Sequence, residues 1–490
     1  MYNSNLIHST SERRKTMLNT LNNQISFFSL NNDLDELTSN HSFQLFDLFD
    51  QFIDLPNLIP LSFYRSYYQK MGRKRDFPLE GMIKALVVAD LVGFTSTNLL
   101  IQVIRISCEF RRFLGFTRAP DKSQISRFKN NFADEIALMF HHLVDFTDDY
   151  ASLTDEFLAK LLITDTTGFE VYVSENNPKF FQTILKSAKT YAKTLPYNND
   201  FNVEKYAQSK MPKFSTVNPD AKLAYLNGHF GYYLKGVIST NGFGLIRDIN
   251  FIDSNNELFN DLTPDEIKDT YDSKSLIPTL ETYFQQHPSH HYDFFLGDSA
   301  FDADDNYAYL HKNKMMPIIP INPRNSSTLP EPGFNENGIP TCPYNSDLPM
   351  IFAGIIRSEK RADRIQYVCP KRTRTAIKGK NIAILDCDNP CTTSDFGRVK
   401  NITIHHNYRY NSSMPRTSDE WINLYKHRTV SERTINQLKA FIGIDNSKIR
   451  NTITLQSSIL LAGISQLIAF IILFHSKYAT GPLAIRTLIS

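Results

Sequence analysis

Three things are scarce in this 490-residue chain: cysteine, tryptophan and net charge. Five cysteines with no export signal ahead of them fit a reducing compartment, the cytoplasm with its nucleoid. The one tryptophan, Trp421, lies a helical turn before Tyr425 and reads as a packing anchor, not as a wedge against nucleic-acid bases. Lys and Arg number 53 against 51 Asp and Glu, a net charge of +2, so gross charge argues for no acidic partner and any such case must rest on local clusters. No apolar run reaches the roughly 20 residues a bilayer requires. The best of them, Ile459 to Phe474, is interrupted by Ser465 and Gln466 and reads as a buried core helix, with no membrane partner. Residues 1–40 are rich in Ser, Asn and Thr and read as a partly disordered lead without a signal peptide. Hydrophobic residues make up 41%, enough for sizeable cores, and the length fits roughly three domains.

What the chain does have is one dense polar motif. Tyr425, Arg428, Glu432 and Lys439 lie between Trp421 and Phe441. If that segment is a single helix turning about 100° per residue, they fall at roughly 0°, 300°, 340° and 320° on one stripe. Leu424, Ile435, Leu438 and Ile442 cluster at roughly 220° to 280° and supply a docking face. An acid flanked by a guanidinium, an ammonium and a phenol can hold a divalent cation while its neighbours grip phosphate oxygens. The plain alternative is a solvated face of i,i+3 and i,i+4 pairs. Two upstream segments favour the first reading. Leu161 to Gly168 reads as a buried strand delivering Asp165 at its end, and Tyr292 to Ala300 repeats the arrangement around Asp298. Two strand-end aspartates and a helical glutamate are the minimum ligand set for two-metal phosphoryl transfer.

In these motifs the chain resembles the insertion-sequence transposases of the DDE class that carry the signature Tyr, two residues, Arg, three residues, Glu, six residues, Lys. The resemblance extends over about residues 75 to 475. It implies an α/β, ribonuclease-H-like catalytic core with a mostly β insertion, preceded by an all-helical N-terminal domain. It also implies Asp165, Asp298 and Glu432 as catalytic ligands of two Mg²⁺ ions, with Mn²⁺ able to substitute, and Tyr425, Arg428 and Lys439 as contacts to DNA phosphate. The expected partners are double-stranded DNA with terminal inverted repeats and target DNA, met by a homodimer. Relatives of this signature are similar in sealing the excised end as a hairpin. Two other readings stand beside this one. A ribonuclease-H-like host nuclease could use the same carboxylates without needing the whole Tyr-Arg-Glu-Lys face, and an inactive domesticated DNA-binding protein would not need every ligand intact.

The order of elements supports that core independently. A strand near residues 161–171 is followed by Gly231 to Thr240, Asn241-Gly242 and Phe243 to Phe251, a strong hairpin signal. Helices are expected over about Pro264 to Gln285 and Ala303 to Lys312, and Met315 to Ile321, with two prolines, suits a sheet edge. These elements place the core at residues 151–321 and 418–490. Residues 322–417 are too long for an ordinary connection and should form a β-rich insertion subdomain. There, Arg357 to Lys380 holds nine Lys or Arg against two acids, a candidate phosphate track. Cys342, Cys369, Cys387 and Cys391 share the insertion and offer either a structural zinc site or free thiols. Cys108 is expected in the core.

A helical N-terminal domain is expected over 41–150, for DNA binding or alternatively for packing or dimerisation. Thirteen Lys or Arg against five acids lie between Tyr64 and Asn130. Helices are expected over Leu79 to Val92, stopped by Gly93, over Leu99 to Leu114, and from a capped start at Pro120 to Ser123 through Lys129, with basic and amide side chains suited to a DNA groove. Ser174 to Leu223 forms a further lysine-bearing insertion between core strands.

Overall fold

The computed structural model describes residues 44–475, except 70, 73, 95, 196–200, 227–228, 253–271, 323–332, 336–337, 358–362, 378–379, 404–413 and 443–447. Ten helices lead: α1 (Gln44–Phe52), α2 (Leu55–Leu58), α3 (Leu61–Tyr67), α4 (Leu79–Val92), α5 (Thr97–Ile106), α6 (Cys108–Leu114), α7 (Lys122–Asn131), α8 (Ala133–Phe146), α9 (Asp148–Thr154) and α10 (Glu156–Ala159). Gly93 ends α4 in the left-handed region at φ 83°, as expected of a glycine stop. The expected helix over Leu99 to Leu114 is two helices instead. Ser107 sits between them in extended backbone, and its hydroxyl accepts from the Phe110 amide to start α6. Cys108, at the first position of α6, is exposed rather than in the core, and Arg111 donates to its Sγ.

The start of α7 is capped as expected, with the Gln124 side chain accepting from the Asp121 amide at 2.8 Å. Its basic face is only partly outward. Arg127 is exposed, whereas Lys129 turns inward and donates to Ser458 Oγ at 3.1 Å.

The α/β part begins with β1 (Leu161–Glu170), followed by α11 (Pro178–Ala192), α12 (Val203–Ser209), β2 (Lys222–Leu226), β3 (His229–Thr240), β4 (Ile246–Ile252), α13 (Asp272–Gln286), β5 (Phe294–Leu296), α14 (Asp304–Lys312) and β6 (Met316–Ile318). These strands make one mixed sheet. β3 lies antiparallel to β1 along one edge and pairs on its other edge with β2 through its first half and β4 through its second. On the far side of β1, β5 and then β6 run parallel to it. Antiparallel β1, β3 and β4 followed by parallel β5 and β6 give the order expected of a ribonuclease-H-like core, and β2 is a further strand on the edge of β3. Pro317 is tolerated because β6 is the sheet's last strand.

The β3–β4 hairpin forms, but not through a two-residue Asn-Gly turn. The Asn241 carboxamide oxygen accepts from the amides of Phe243 and Leu245, and the left-handed residue is Gly244 at φ 85°. Gly242 serves close approach instead: a Cβ there would lie 2.8 Å from the Leu158 carbonyl oxygen.

The insertion is built of β7 (Thr341–Cys342), β8 (Asn345–Pro349), β9 (Ile351–Ile356), β10 (Arg364–Val368), β11 (Arg372–Ile377), β12 (Lys380–Leu385) and β13 (Val399–Thr403). They form three small sheets over a minor core of Ile339, Met350, Ile365, Tyr367 and Ile402. The chain then returns through α15 (Asp419–Lys426), α16 (Thr429–Ile442) and α17 (Thr452–His475).

Helix α17 organises the whole. It is long and apolar enough to cross a membrane, yet 94% of its apolar window is buried inside the fold. It packs beside α16 as expected, and more extensively against α8 and α4. Burying each Leu or Ile contributes about 1.5–3 kcal/mol, so Leu461, Ile464, Ile468 and Ile472 together bind the N-terminal helices to the sheet. One apolar cluster runs from Phe49 through Ile472.

Candidate active site

The approach of the two aspartates follows from strand register. Parallel pairing sets Ile163 opposite Leu296, so Asp165 and Asp298 each lie two residues beyond the same rung. Asp165 is not at the end of its strand, since β1 continues along β3 as far as Glu170 opposite Tyr233. The β-branched threonines 166 and 167 extend the strand where the glycine had read as a stop. It is β5 that ends: after Gly297, Asp298 caps the short 3₁₀ turn Ser299–Phe301, its carboxylate accepting from the Ala300 amide at 2.9 Å.

The third acid arrives on a different element from the one expected. Trp421 to Phe441 is not a single helix: α15 stops at Lys426, α16 starts at Thr429, and His427 and Arg428 form the turn between them. Tight i,i−3 bonds carry the chain through it, from His427 to Leu424, Arg428 to Tyr425 and Val430 to His427. The 100° arithmetic therefore holds only within each half. Leu424, Ile435 and Leu438 are buried as the docking face required, and Trp421 packs with its ring stacked on Tyr425 at 4.9 Å. Helix α16 is fixed over the sheet by Thr434, whose hydroxyl donates to the Gly244 carbonyl at 2.9 Å. A Cβ on Gly244 would lie 2.7 Å from that hydroxyl. Gly244 and Thr434 thus position Glu432, and neither belongs to a motif that sequence reading singles out.

Arg428 gathers the site. Its guanidinium donates to Glu432 Oε1 at 2.5 Å and lies 3.7 Å from Asp165 Oδ2. The same group stands 5.9 Å from the centre of the Tyr425 ring. Burial pushes the Asp165 carboxyl up to about 6; Arg428 opposes the shift, and the nearby charges of Asp298 and Glu432 add to it. Burial also works against the Arg428 charge, but Tyr425, Glu432, Asp165 and Asp298 outweigh it and hold the guanidinium charged. Burial raises the Tyr425 phenol as well, with Arg428 pulling the other way. The Lys439 ammonium lies 5.8 Å from the centre of the Phe169 ring, near the far end of β1.

The three acids share one electrostatic neighbourhood without forming a closed chelate, because among the described residues their oxygens are not all within 4.8 Å of one another. An all-oxygen donor set on two adjoining strands and a facing helix suits a hard divalent cation. The burial that raises Asp165, and the repulsion from Asp298 and Glu432 that adds to it, are what such a cation would offset. The cysteines behave otherwise. Cys369 is buried, Cys342, Cys387 and Cys391 are half-buried, all four are free thiols, and among the described residues they form no ligand group. Of the basic stretch, Arg357 and Lys371 are exposed, while Lys360, Arg361 and Lys378 fall outside the described residues, as do the side chains of Arg374 and Lys380.

Residues 249–468 match the family described as Transposase DDE domain, and residues 32–131 match Transposase domain (DUF772). The first match takes in Asp298, Tyr425, Arg428, Glu432 and Lys439 and begins after Asp165; the second spans α1 to α7. No curated protein matches the chain. The chain thus carries a match to a transposase DDE domain behind a match to a second transposase domain, a similarity that implies metal-dependent phosphoryl transfer in DNA transposition.

Proposed function

We propose that the protein cleaves and joins DNA at the terminal inverted repeats of an insertion sequence, acting as a homodimer on nucleoid DNA in the cytoplasm. Asp165, Asp298 and Glu432 are the catalytic carboxylates and the ligands of two Mg²⁺ ions. The observation that carries this reading is the common register of Asp165 and Asp298 together with the Arg428 bridge from Asp165 to Glu432.

When bound, the ions supply Lewis acidity to the scissile phosphodiester and acidify an attacking water or 3′-hydroxyl. The protein's own groups do the rest. Asp165 and Asp298 hold fixed positions on the sheet, while Glu432 closes from α16. Arg428 offsets part of the charge of these acids when cations are away. It is also placed to turn its donors to phosphate oxygens as charge builds on them. Tyr425 offers a phenol beside that path, and Lys439 is assigned to the phosphate backbone further along. The helical residues 41–150 are assigned to end recognition, with Arg127 on α7 as an exposed contact, and the 322–417 insertion to the DNA flank.

The experiment is incubation of the purified protein with a supercoiled plasmid carrying the element's two ends, in Mg²⁺ and in EDTA. Metal-dependent nicks at the repeat boundaries, followed by joined products, are expected. Nicks scattered without regard to the repeats would favour a general nuclease, and end binding without nicks an inactive DNA-binding protein.

A further inference from the structure

Away from the carboxylates, a second polar cluster forms where α8 meets the connection between α13 and β5. Asp145, His287 and His290 each offer one ligand atom, and these atoms all lie within 4.8 Å of one another. The carboxylate oxygen is 2.5 Å from His287 and 3.2 Å from His290. Both histidines are buried, whereas the Asp145 side chain is 49% exposed, so the set opens to solvent on one side only. The other nitrogen of each ring is already engaged. His287 Nε2 is 3.1 Å from His141 Nδ1, and His290 Nδ1 is 2.6 Å from the Tyr283 hydroxyl, which meets the Tyr292 hydroxyl at 2.7 Å. Partners of this kind fix which ring nitrogen carries the proton and leave the other lone pair to a metal.

We propose that Asp145, His287 and His290 form a transition-metal site for Zn²⁺, with solvent at the fourth position beside Asp145. Two imidazole nitrogens and one carboxylate oxygen suit zinc rather than magnesium. In a tetrahedral site with bonds of about 2.0–2.1 Å, neighbouring ligand atoms stand about 3.3 Å apart. The Asp145–His290 spacing of 3.2 Å already has that value. The Asp145–His287 contact must open by about 0.8 Å, a rotation available to a half-exposed carboxylate. Charge agrees with the assignment. Asp148 reaches within 3.9 Å of His290 Nε2, and a nearby cation, Arg247, is engaged with the Val144 carbonyl, the Thr147 hydroxyl and Asp148. Two acids against one guanidinium leave the cluster negative when the rings are neutral. A bound ion would pin α8 to the segment that leads into β5, the strand preceding Asp298, and so fasten the helical layer to the catalytic sheet.

The test uses the full-length protein, stripped with chelator, dialysed, and titrated with Zn²⁺ or Co²⁺. One equivalent of zinc should bind, raise the melting temperature until it saturates, and persist in Asp298→Asn, which separates this site from the catalytic carboxylates. The cobalt form should show the visible bands of a tetrahedral site without a thiolate charge-transfer band, which separates it from the insertion's cysteines. Asp145→Asn and His290→Gln should each weaken zinc binding about ten-fold or more. Should His290→Gln fail to fold, Asp145→Asn carries the test from its solvent-facing position. No zinc bound by the wild type, a thiolate band, or unchanged affinity in Asp145→Asn would overturn the assignment.

Discussion

The carboxylate cluster around Arg428 and the histidine cluster around Asp145 hold their charges in opposite ways. Around Arg428, three acids share one guanidinium, the Asp165 carboxyl is pushed up to about 6, and Glu432 is 47% exposed. Around Asp145, the buried His287 is hydrogen-bonded through both nitrogens, the buried His290 through Nδ1 with its Nε2 3.2 Å from the carboxylate, and a buried arginine is tied to backbone and hydroxyl oxygens. The difference teaches where each cluster spends its electrostatics. The first is left short of positive charge, the state expected of a centre that takes in cations and phosphate. The second is tied into the fold by its hydrogen bonds and joins two layers of it.

The largest effect should come from the first cluster. Asp298→Asn or Glu432→Gln removes a proposed ligand without changing size. If metal stabilisation of the transition state amounts to several kcal/mol, and each about 1.4 kcal/mol is a factor of ten, repeat-end cleavage should fall by about a thousand-fold or more. Gel assays on end-labelled repeat DNA measure this, with circular dichroism as the check on folding. Wild-type rates in both variants would erase the functional half of the contrast.

The second cluster should answer in stability instead. Arg247 is fully buried and donates at 3.1 Å to the Val144 carbonyl and at 2.8 Å to the Thr147 hydroxyl. Arg247→Met deletes both bonds and the ion pair with Asp148, at about 1.5–3 kcal/mol for each bond to the charged group, although the Thr147 hydroxyl keeps its bonds to the Leu143 and Val144 carbonyls. A loss of about 3 kcal/mol in denaturant melts is expected. A loss under about 0.5 kcal/mol, the range of ordinary surface changes, would mean that this network does not hold the layers together.

Asp165→Asn should separate the two behaviours within one residue. The carboxyl's ordinary value is 3.8 and its folded value about 6, so the folded state binds the proton more tightly. Stability attributable to this group is full below pH 4 and declines as pH rises through 6. Two pH units correspond to about 3 kcal/mol as an upper figure. Asp165→Asn should therefore be more stable than wild type at pH 7.5, by about 1–3 kcal/mol, with little difference near pH 4, while cleavage is lost. In the wild type, protons should compete with Mg²⁺ increasingly below pH 6, which isothermal titration across that range would register. Equal stability of the two proteins at pH 7.5 would mean that the carboxylates do not strain one another.

How much of this was legible in the sequence depends on distance along the chain. Arg428 and Glu432 are four residues apart, and their pairing follows from helical spacing alone, surviving even the break at His427. That Asp165 and Asp298 come from neighbouring strands followed from the order of the elements, and β1 does pair with β5. What local pattern could not convey was assembled by tertiary contact. Thr434 meets Gly244 across 190 residues, and Asp145 meets His287 across 142. The inward turn of Lys129 depends on Ser458, 329 residues away, which is why α7 reads as more basic in sequence than it is in space. The compact run His287-Pro-Ser-His290-His291 was the one local hint of the second cluster, and it says nothing of the aspartate that completes it. The helix breaks at Ser107 and His427 were masked because neither is glycine or proline, the residues that ordinarily mark a stop.

The smallest effect concerns the seam between the clusters. Gly463 lies inside α17 against Phe140 of α8, the helix that also carries Asp145, and against Ile249 of β4. A Cβ there would stand 2.9 Å from Phe140 Cε2 and 3.2 Å from Ile249 Cδ1. Gly463→Ala gains about 1 kcal/mol of helix propensity, while forcing a methyl into a packed core costs about 1–3 kcal/mol. Both neighbours are buried and Phe140 is fully enclosed, so neither can swing into solvent and the steric cost wins. A net loss of about 1 kcal/mol is expected, felt on the α8 side as weaker zinc binding before cleavage changes. A stabilised Gly463→Ala would show that α8 can shift on α17 without penalty, and the histidine cluster would then be the looser of the two.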